Sequence, residues 1–389
     1  MTHFKRTIRT QIIVLVCLLS SPGFALTDAE IDGLIAEMTV EEKVGQLMIV
    51  GLAGKQADKT IREHIGQRFI GGVTLFNRNI QSPQQVARLT NKLQRLAQAT
   101  KHQIPLFIAV DQEGGWVTRL KKGATILPGN MALGATDSTE LAEQAGVLTA
   151  IELSAVGINL NFAPVVDVNN NPNNPVIDRR AFGESPEQVS RLGAAYIRGL
   201  QQNGLLATAK HFPGHGDTTV DSHTALPTVK HDLDRIRAIE LKPFRATIEA
   251  GVAAIMTAHI VYSALDAERP ATLSRPILTD LLRDELGFDG LIITDDMEMK
   301  AIDDRYPAGE AAVMAIEAGA DIVLALWTPT KQRAVYDALL MAVKRGRISK
   351  GRLDASVRRI LKGKRTWFDR RFVDPSVATK IVEIGRAHV

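Results

Sequence analysis

Residues 185–211 read SPEQVSRLGAAYIRGLQQNGLLATAKH, and the order of patterns within them decides the fold. The first part places apolar residues three or four apart, the spacing of one buried helix face, and Gly204 closes that pattern. Leu205 then opens a short run of apolar and small residues that finishes on two polar ones, Lys210 and His211. A helix followed by a buried strand with polar chemistry at its far end is a piece of a parallel-sheet repeat.

Seven similar runs lie outward from this one. They are QLMIVGL from Gln46, GGVTLF from Gly71, LFIAV from Leu106, INLNFAPVV from Ile158, AAIMTAHI from Ala253, GLIIT from Gly290 and DIVLAL from Asp321. Helical patterning fills most intervals, as in PQQVARLTNKLQRLAQA (83–99), STELAEQAGVLTAIELSAVG (138–157) and GEAAVMAIEAG (309–319). Before the first strand, TVEE at 39–42 is a capping box with Thr39 as cap and Glu42 as its partner. Eight strands alternating with helices predict an α/β fold, a closed (β/α)8 TIM-type barrel with its active site at the C-terminal strand ends. An open doubly wound sheet is the alternative, but GLAGKQ at 51–56 lacks the G-x-G-x-x-G spacing of its phosphate loop.

Polar residues gather at those predicted ends: Asp111 after the third run, Asp167 after the fourth, Lys210 and His211 after the fifth, His259 after the sixth, and Asp295 and Asp296 after the seventh. A structural role accounts for one or two of them and not for five successive ends. The segment KHFPGHGDTTVDSH (210–223) admits three readings. Its histidines and aspartates are metal-ligand types, but they spread through a Pro-Gly loop without helical ligand spacing. A rigid loop braced by its histidines is the second reading, best suited to His215 between two glycines. The third is an acid/base pair, because Asp221 and His223, two apart, can turn toward each other and a carboxylate on one imidazole nitrogen raises the basicity of the other. Asp295, delivered by an apolar strand, is the candidate nucleophile or charge stabiliser across the mouth, and Asp296 is read as a cap for the following helix.

Composition sets the setting. The chain has 389 residues with 45% apolar content, enough to fill one large barrel. Its formal charge of +4 falls to +1 once Lys5, Arg6 and Arg9 are set aside, so no nucleic-acid partner is expected. Those three cations precede an apolar run from Ile12 to Leu19 and small residues around Ala25, the pattern of a secretory signal peptide. The run is too short to span a bilayer. Cleavage after Ala25 is expected, with secreted or periplasmic residence, no stable membrane insertion afterwards, and a monomer. The single cysteine, Cys17, follows Val16 inside the apolar run; it is no lipidation site and leaves with the leader. The domain reading is a leader over 1–25, a barrel over 26–368, an extension or start of a linker over 369–383, and a non-native tail over 384–389. One back-translation of IGRAHV matches a common sequencing-adapter string.

The motifs now resemble a known family. KHFPGHGDTTVDSH is similar to the signature of glycoside hydrolase family 3 enzymes of the β-N-acetylglucosaminidase type, and DQEGGWVTRL (111–120), RRAFG (179–183) and ITDD (293–296) resemble that family's other motifs in the same order. The resemblance covers about residues 28–362. It implies Asp295 as nucleophile and His223 as acid/base oriented by Asp221. It also implies Asp111, Arg119, Arg180, Lys210 and His211 around the non-reducing sugar, with no cofactor and no metal. The chain departs from the family where Ala181 stands in place of a common serine, which removes a hydroxyl beside Arg180 and keeps the charge. FVDPSVATKIVEI (372–384) resembles the linker by which larger relatives enter a further domain. The expected function is a retaining exo-β-N-acetylglucosaminidase acting on peptidoglycan fragments or chitooligosaccharides. Phosphorolysis on the same scaffold, a broader β-glycosidase, a metal-dependent hydrolase and a silent sugar-binding module are the alternatives.

Overall fold

The computed structural model describes residues 26–368 and 372–384. The expected leader and residues 385–389 of the expected tail lie outside the described residues. All eight apolar runs form strands: β1 (Met48–Gly51), β2 (Gly72–Leu75), β3 (Phe107–Val110), β4 (Leu160–Asn161), β5 (Leu206–Phe212), β6 (Ala254–Thr257), β7 (Leu291–Asp296) and β8 (Ile322–Ala325). Each pairs in parallel with its neighbours and the sheet closes on itself, Met48 opposite Val323 and Val50 opposite Ala325 joining β1 to β8. This is the predicted (β/α)8 barrel. Nearly every strand residue is buried, because helices cover the outside and side chains fill the inside.

Two strands depart from even pairing. Between β5 and β6, Lys210 faces Met256 and Phe212 faces Thr257, so His211 is an extra residue in the ladder. Between β7 and β8, Ile293 faces Ile322 and Asp296 faces Leu324, so the extra residue falls at Thr294 or Asp295. Such bulges bend a strand and re-aim the side chains beside them. Both occur where the sequence places site residues.

The helices begin where their first residues supply acceptors. Ser82, Ser138 and Ser185 each accept the amide N–H three residues on, and Pro83 and Pro186 occupy the first turn, where no N–H is needed. Thr39 and Glu42 form the predicted capping box, with Thr39 N–H donating to Glu42 Oε2 at 2.8 Å and Glu42 N–H to Thr39 Oγ1 at 3.2 Å. Gly204 ends helix Pro186–Gln201 at a φ of +77°, which a side chain would resist. The stretch read as a linker contains a helix, Pro375–Ile384, packed on helices Pro83–Gln98 and Thr139–Ala155 with Ala378 and Val382 buried. Among the described residues no helix is long and apolar enough to cross a membrane.

Helices Thr139–Ala155 and Pro186–Gln201 touch backbone to backbone. A Cβ at Gly146 would lie 2.4 Å from the Tyr196 carbonyl oxygen, and one at Gly199 2.1 Å from that of Glu143. Gly199→Ala gains helix propensity of about 1 kcal/mol, yet the overlap forces the helices apart, a type of overpacking that costs about 1–3 kcal/mol. The expected net result is a lower thermal unfolding midpoint by calorimetry; an unchanged or raised midpoint would show that the pair separates freely.

Candidate active site

Four strand ends and one loop meet at the barrel mouth. From the end of β3 come Asp111 and Glu113. From β5 comes Lys210, whose Nζ lies 2.9 Å from Asp111 Oδ1 and 2.7 Å from Glu113 Oε1. Arg180, on a short turn after β4, grips Glu113 with two parallel bonds, Nε to Oε2 and Nη2 to Oε1, both 2.9 Å. Glu113 is only 3% exposed. Burial pushes its carboxyl up, and the neighbouring Arg180 and Lys210 charges overcome this and hold it well below the carboxylate range. Lys210 is the mirror case: burial favours the neutral amine, while Asp111 and Glu113 keep it charged.

Arg119 reaches the same cluster, its Nη2 3.8 Å from Asp111 Oδ2. It gets there because Gln112 folds the loop back, its Oε1 accepting from the Arg119 and Leu120 amides at 2.8 and 3.0 Å. Arg119 Nε is buried with no protein acceptor, a donor aimed for use. Arg180 already commits three of its five N–H donors, two to Glu113 and one to the Val176 carbonyl at 3.1 Å. His211, the extra residue of β5, is held through Nδ1 by Asp167 Oδ2 at 2.7 Å, while Asp167 Oδ1 accepts the His211 and His215 amides. Burial raises the Asp167 carboxyl, and the two imidazoles and the amides bring it below its ordinary value. The Nδ1 contact leaves Nε2 of His211 as the ring nitrogen available to the mouth.

The loop after β5 divides into an inner and an outer part. His215 lies inside, Nδ1 2.9 Å from Thr218 Oγ1 and Nε2 3.0 Å from Ser222 Oγ, and burial lowers its pKa to about 4. Asp217 pairs with His231 and Arg235. These two residues shape the loop, and the candidate metal ligands of the segment are engaged with separate partners. Ser222 points inward to His215, and its carbonyl accepts the Ala301 N–H at 3.3 Å from the segment that follows β7. Its neighbours Asp221 and His223 therefore face outward together, with His223 Nδ1 2.7 Å from Asp221 Oδ1. Burial raises Asp221, and the His223 amide and ring lower it further, to a net position below its usual value. The His223 side chain is 61% exposed, so its other nitrogen is open to a ligand.

Asp295 lies in the irregular stretch of β7, its Oδ1 accepting the Asp296 amide at 2.8 Å. Burial pushes its carboxyl up, but His259, His211, the Asp296 N–H and His223 together leave it below the ordinary value, so it is ionised. Asp296 goes the other way: burial, opposed by the Glu298 amide and reinforced by the Asp295 charge, brings it to about 7. The expectation that Asp296 caps the next helix is corrected. That helix, Lys300–Asp303, is capped at Met299 with no side-chain bond, and Asp296 Oδ1 instead accepts the Glu298 N–H at 3.3 Å within a turn. Adjacent carboxylates driven apart in this way divide into one charged and one neutral group.

The structure brings the candidate catalytic and sugar-binding residues together at this mouth. Asp111, Arg119, Arg180 and Lys210 form one charge cluster, His211 is held beside it by Asp167, whose charge also acts on Arg180, and Asp295 feels His211 and His223. Sequence reasoning passed over Glu113, although it stands two places beyond Asp111 in the same motif. It also passed over Ser222, and it noted His259 without a role; His259 lies 2.8 Å from Thr272 Oγ1 and 3.0 Å from the Asp296 carbonyl oxygen, fixing the backbone behind Asp295.

Comparison with known proteins agrees with this architecture. Residues 39–362 match the family described as glycosyl hydrolase family 3 N terminal domain. A beta-hexosaminidase A of Pseudoalteromonas piscicida is 47% identical over 280 residues, covering 68% of this chain and 47% of that protein. A beta-hexosaminidase of Tolumonas auensis is 40% identical over 301 residues, covering 76% of this chain and 87% of the other. Among solved structures, a family 3 beta-N-acetylglucosaminidase from a Paenibacillus species superposes with a TM-score of 0.83 at 49% identity, over 85% of this chain and 62% of that one. The chain thus spans about half the length of the Pseudoalteromonas protein and under two thirds of the Paenibacillus one. The barrel, its ordered motifs and these matches together make this chain a member of glycoside hydrolase family 3.

Proposed function

We propose that this protein is a retaining exo-β-N-acetylglucosaminidase that removes terminal N-acetylglucosamine from peptidoglycan fragments or chitooligosaccharides. The observation that carries the reading is an ionised, half-buried carboxylate, Asp295, within the field of an exposed His223–Asp221 pair. The hexosaminide preference draws on the names of the relatives, beta-hexosaminidase and beta-N-acetylglucosaminidase. The charge cluster of Asp111, Glu113, Arg119, Arg180 and Lys210 offers matched donors and acceptors for the hydroxyls of a neutral sugar.

In the first step Asp295 attacks the anomeric carbon and protonated His223 gives its proton to the departing glycosidic oxygen. In the second, neutral His223 takes a proton from water as that water displaces the aspartyl ester, which restores both groups. Asp221 keeps the His223 ring in one tautomer and balances its positive form. The loop carries this pair outward and gives it freedom to close over bound sugar. The basic and apolar leader supports export, and the reading is of a secreted or periplasmic enzyme. Protein recovered from the periplasm is expected to begin at Leu26; an intact Met1 terminus there would reject cleavage.

The test is a panel of aryl β-glycosides with and without phosphate, with products followed by NMR. Wild type is expected to release β-configured N-acetylglucosamine first, and Asp295→Ala to lose at least about a thousandfold in kcat. His223→Ala is expected to lose about 10²–10⁴-fold, the usual worth of a general acid/base. Sugar phosphate as the product would replace hydrolysis by phosphorolysis, and α-configured sugar as first product would exclude the double displacement.

The elevated Asp296 carboxyl gives a separate check. Its folded pKa of about 7 exceeds an unfolded value near 3.9, so the stability it contributes is full below about pH 4 and is lost as pH rises through about 7. Between pH 5.5 and 8, wild type should lose on the order of 2 kcal/mol more unfolding free energy than Asp296→Asn, at about 1.36 kcal/mol per pH unit. Urea denaturation of both proteins at the two pH values measures this; parallel losses would place the Asp296 carboxyl in its ordinary range.

A further inference from the structure

The rim divides into two arcs. The charge cluster that suits the non-reducing sugar belongs to β3, β4 and β5, and Asp295, at the anomeric position of the proposed reaction, belongs to β7. Continuing around the rim from β7, the next strands are β8, β1 and β2, which close the ring onto β3. There Phe76, just past β2, meets Trp327, just past β8, with ring centroids 4.6 Å apart and planes tilted by 35°. The Arg78 guanidinium carbon lies 4.6 Å from the Phe76 centroid and 4.3 Å from that of Trp327, close enough for cation–π attraction to both. Arg78 is itself fixed, donating from Nε to the Leu52 carbonyl at 2.9 Å and from Nη2 to that of Leu326 at 3.2 Å. The Trp327 amide donates to Glu298 Oε1 at 2.8 Å, and the Glu298 amide in turn donates to Asp296, the neighbour of Asp295.

Trp327 is nonetheless 55% exposed. An indole held rigidly and left half open beside a reacting centre is a surface prepared for a ligand with an apolar face. A pyranose has such a face on its axial C–H side. We infer that Trp327, backed by Phe76 and Arg78, is the subsite for the leaving sugar, stacking its indole on the apolar face of a pyranose aglycone. This rests on the glycosidase reading above and adds to it the side on which the aglycone leaves.

Steady-state kinetics on two substrates test the assignment: N,N′-diacetylchitobiose, whose aglycone is a pyranose, and methyl β-N-acetylglucosaminide, whose aglycone has no ring. Trp327→Ala is expected to lower the ratio of kcat/KM for the disaccharide to that for the methyl glycoside at least about tenfold, equivalent to about 1.4 kcal/mol. Trp327→Phe, which keeps a flat ring, is expected to hold that ratio within about threefold of wild type. An unchanged ratio in Trp327→Ala, whether both rates persist or both fall together, overturns the subsite and leaves the glycosidase reading standing. Wild type that turns over neither glycoside removes the glycosidase reading, and the subsite with it.

Discussion

A carboxylate as buried as Glu113 must be neutralised where it stands, and the active-site mouth is organised around that requirement. Removing a charge from water costs several kcal/mol even after relaxation, and a close ion pair returns this only with good geometry. Glu113 meets the condition with a two-pronged Arg180 and a direct Lys210 contact. Lys210 in turn fixes Asp111, and Asp111 draws in Arg119. Three strands and two loops are thereby held to positions that packing alone would leave looser. The cluster adds little net stability on this argument; its product is geometry.

The bulges complete that geometry. A regular parallel ladder turns alternate residues inward and outward, which would spread the site residues over both faces. The extra residue in β5 frees His211 to meet Asp167, and the irregular step in β7 offsets Asp295 from Asp296. One carboxyl of the latter pair is then ionised and the other close to neutral, a division made by local burial and mutual repulsion.

Much of this was legible in the sequence. The eight strands were readable because each is a short apolar run with a polar end, and Asp111, Lys210, His211 and Asp295 were readable because they are those ends. The spacing of Asp221 and His223 offered a pair as one of three readings, and the family resemblance singled it out. Glu113 was not readable, since an acidic residue followed by two glycines reads as a solvated turn until Arg180 and Lys210 arrive from elsewhere in the chain. Ser222 gave no signal because its partner, His215, is fixed by how the loop folds back. Asp296 was misread as a cap because a bulge depends on the register of the neighbouring strand, which no local pattern encodes. The Phe76–Trp327 contact was hidden for the same reason, the two residues being adjacent only once the barrel closes.

The charge cluster also bears on how this mouth can change over evolutionary time. Replacing Glu113 alone would leave Arg180 and Lys210 without their shared counter-charge, and replacing either cation would leave the acid half-neutralised, where a buried charge stripped of its partner costs about 3–5 kcal/mol. Single steps at these positions therefore cross a deep valley, and exchanges must come as coordinated sets. Trp327 has no such tie to a buried counter-ion. On the proposed reading, the rim beside the leaving group can drift one residue at a time, and lineages built on this barrel have an open route to new aglycones while the grip on the first sugar stays locked.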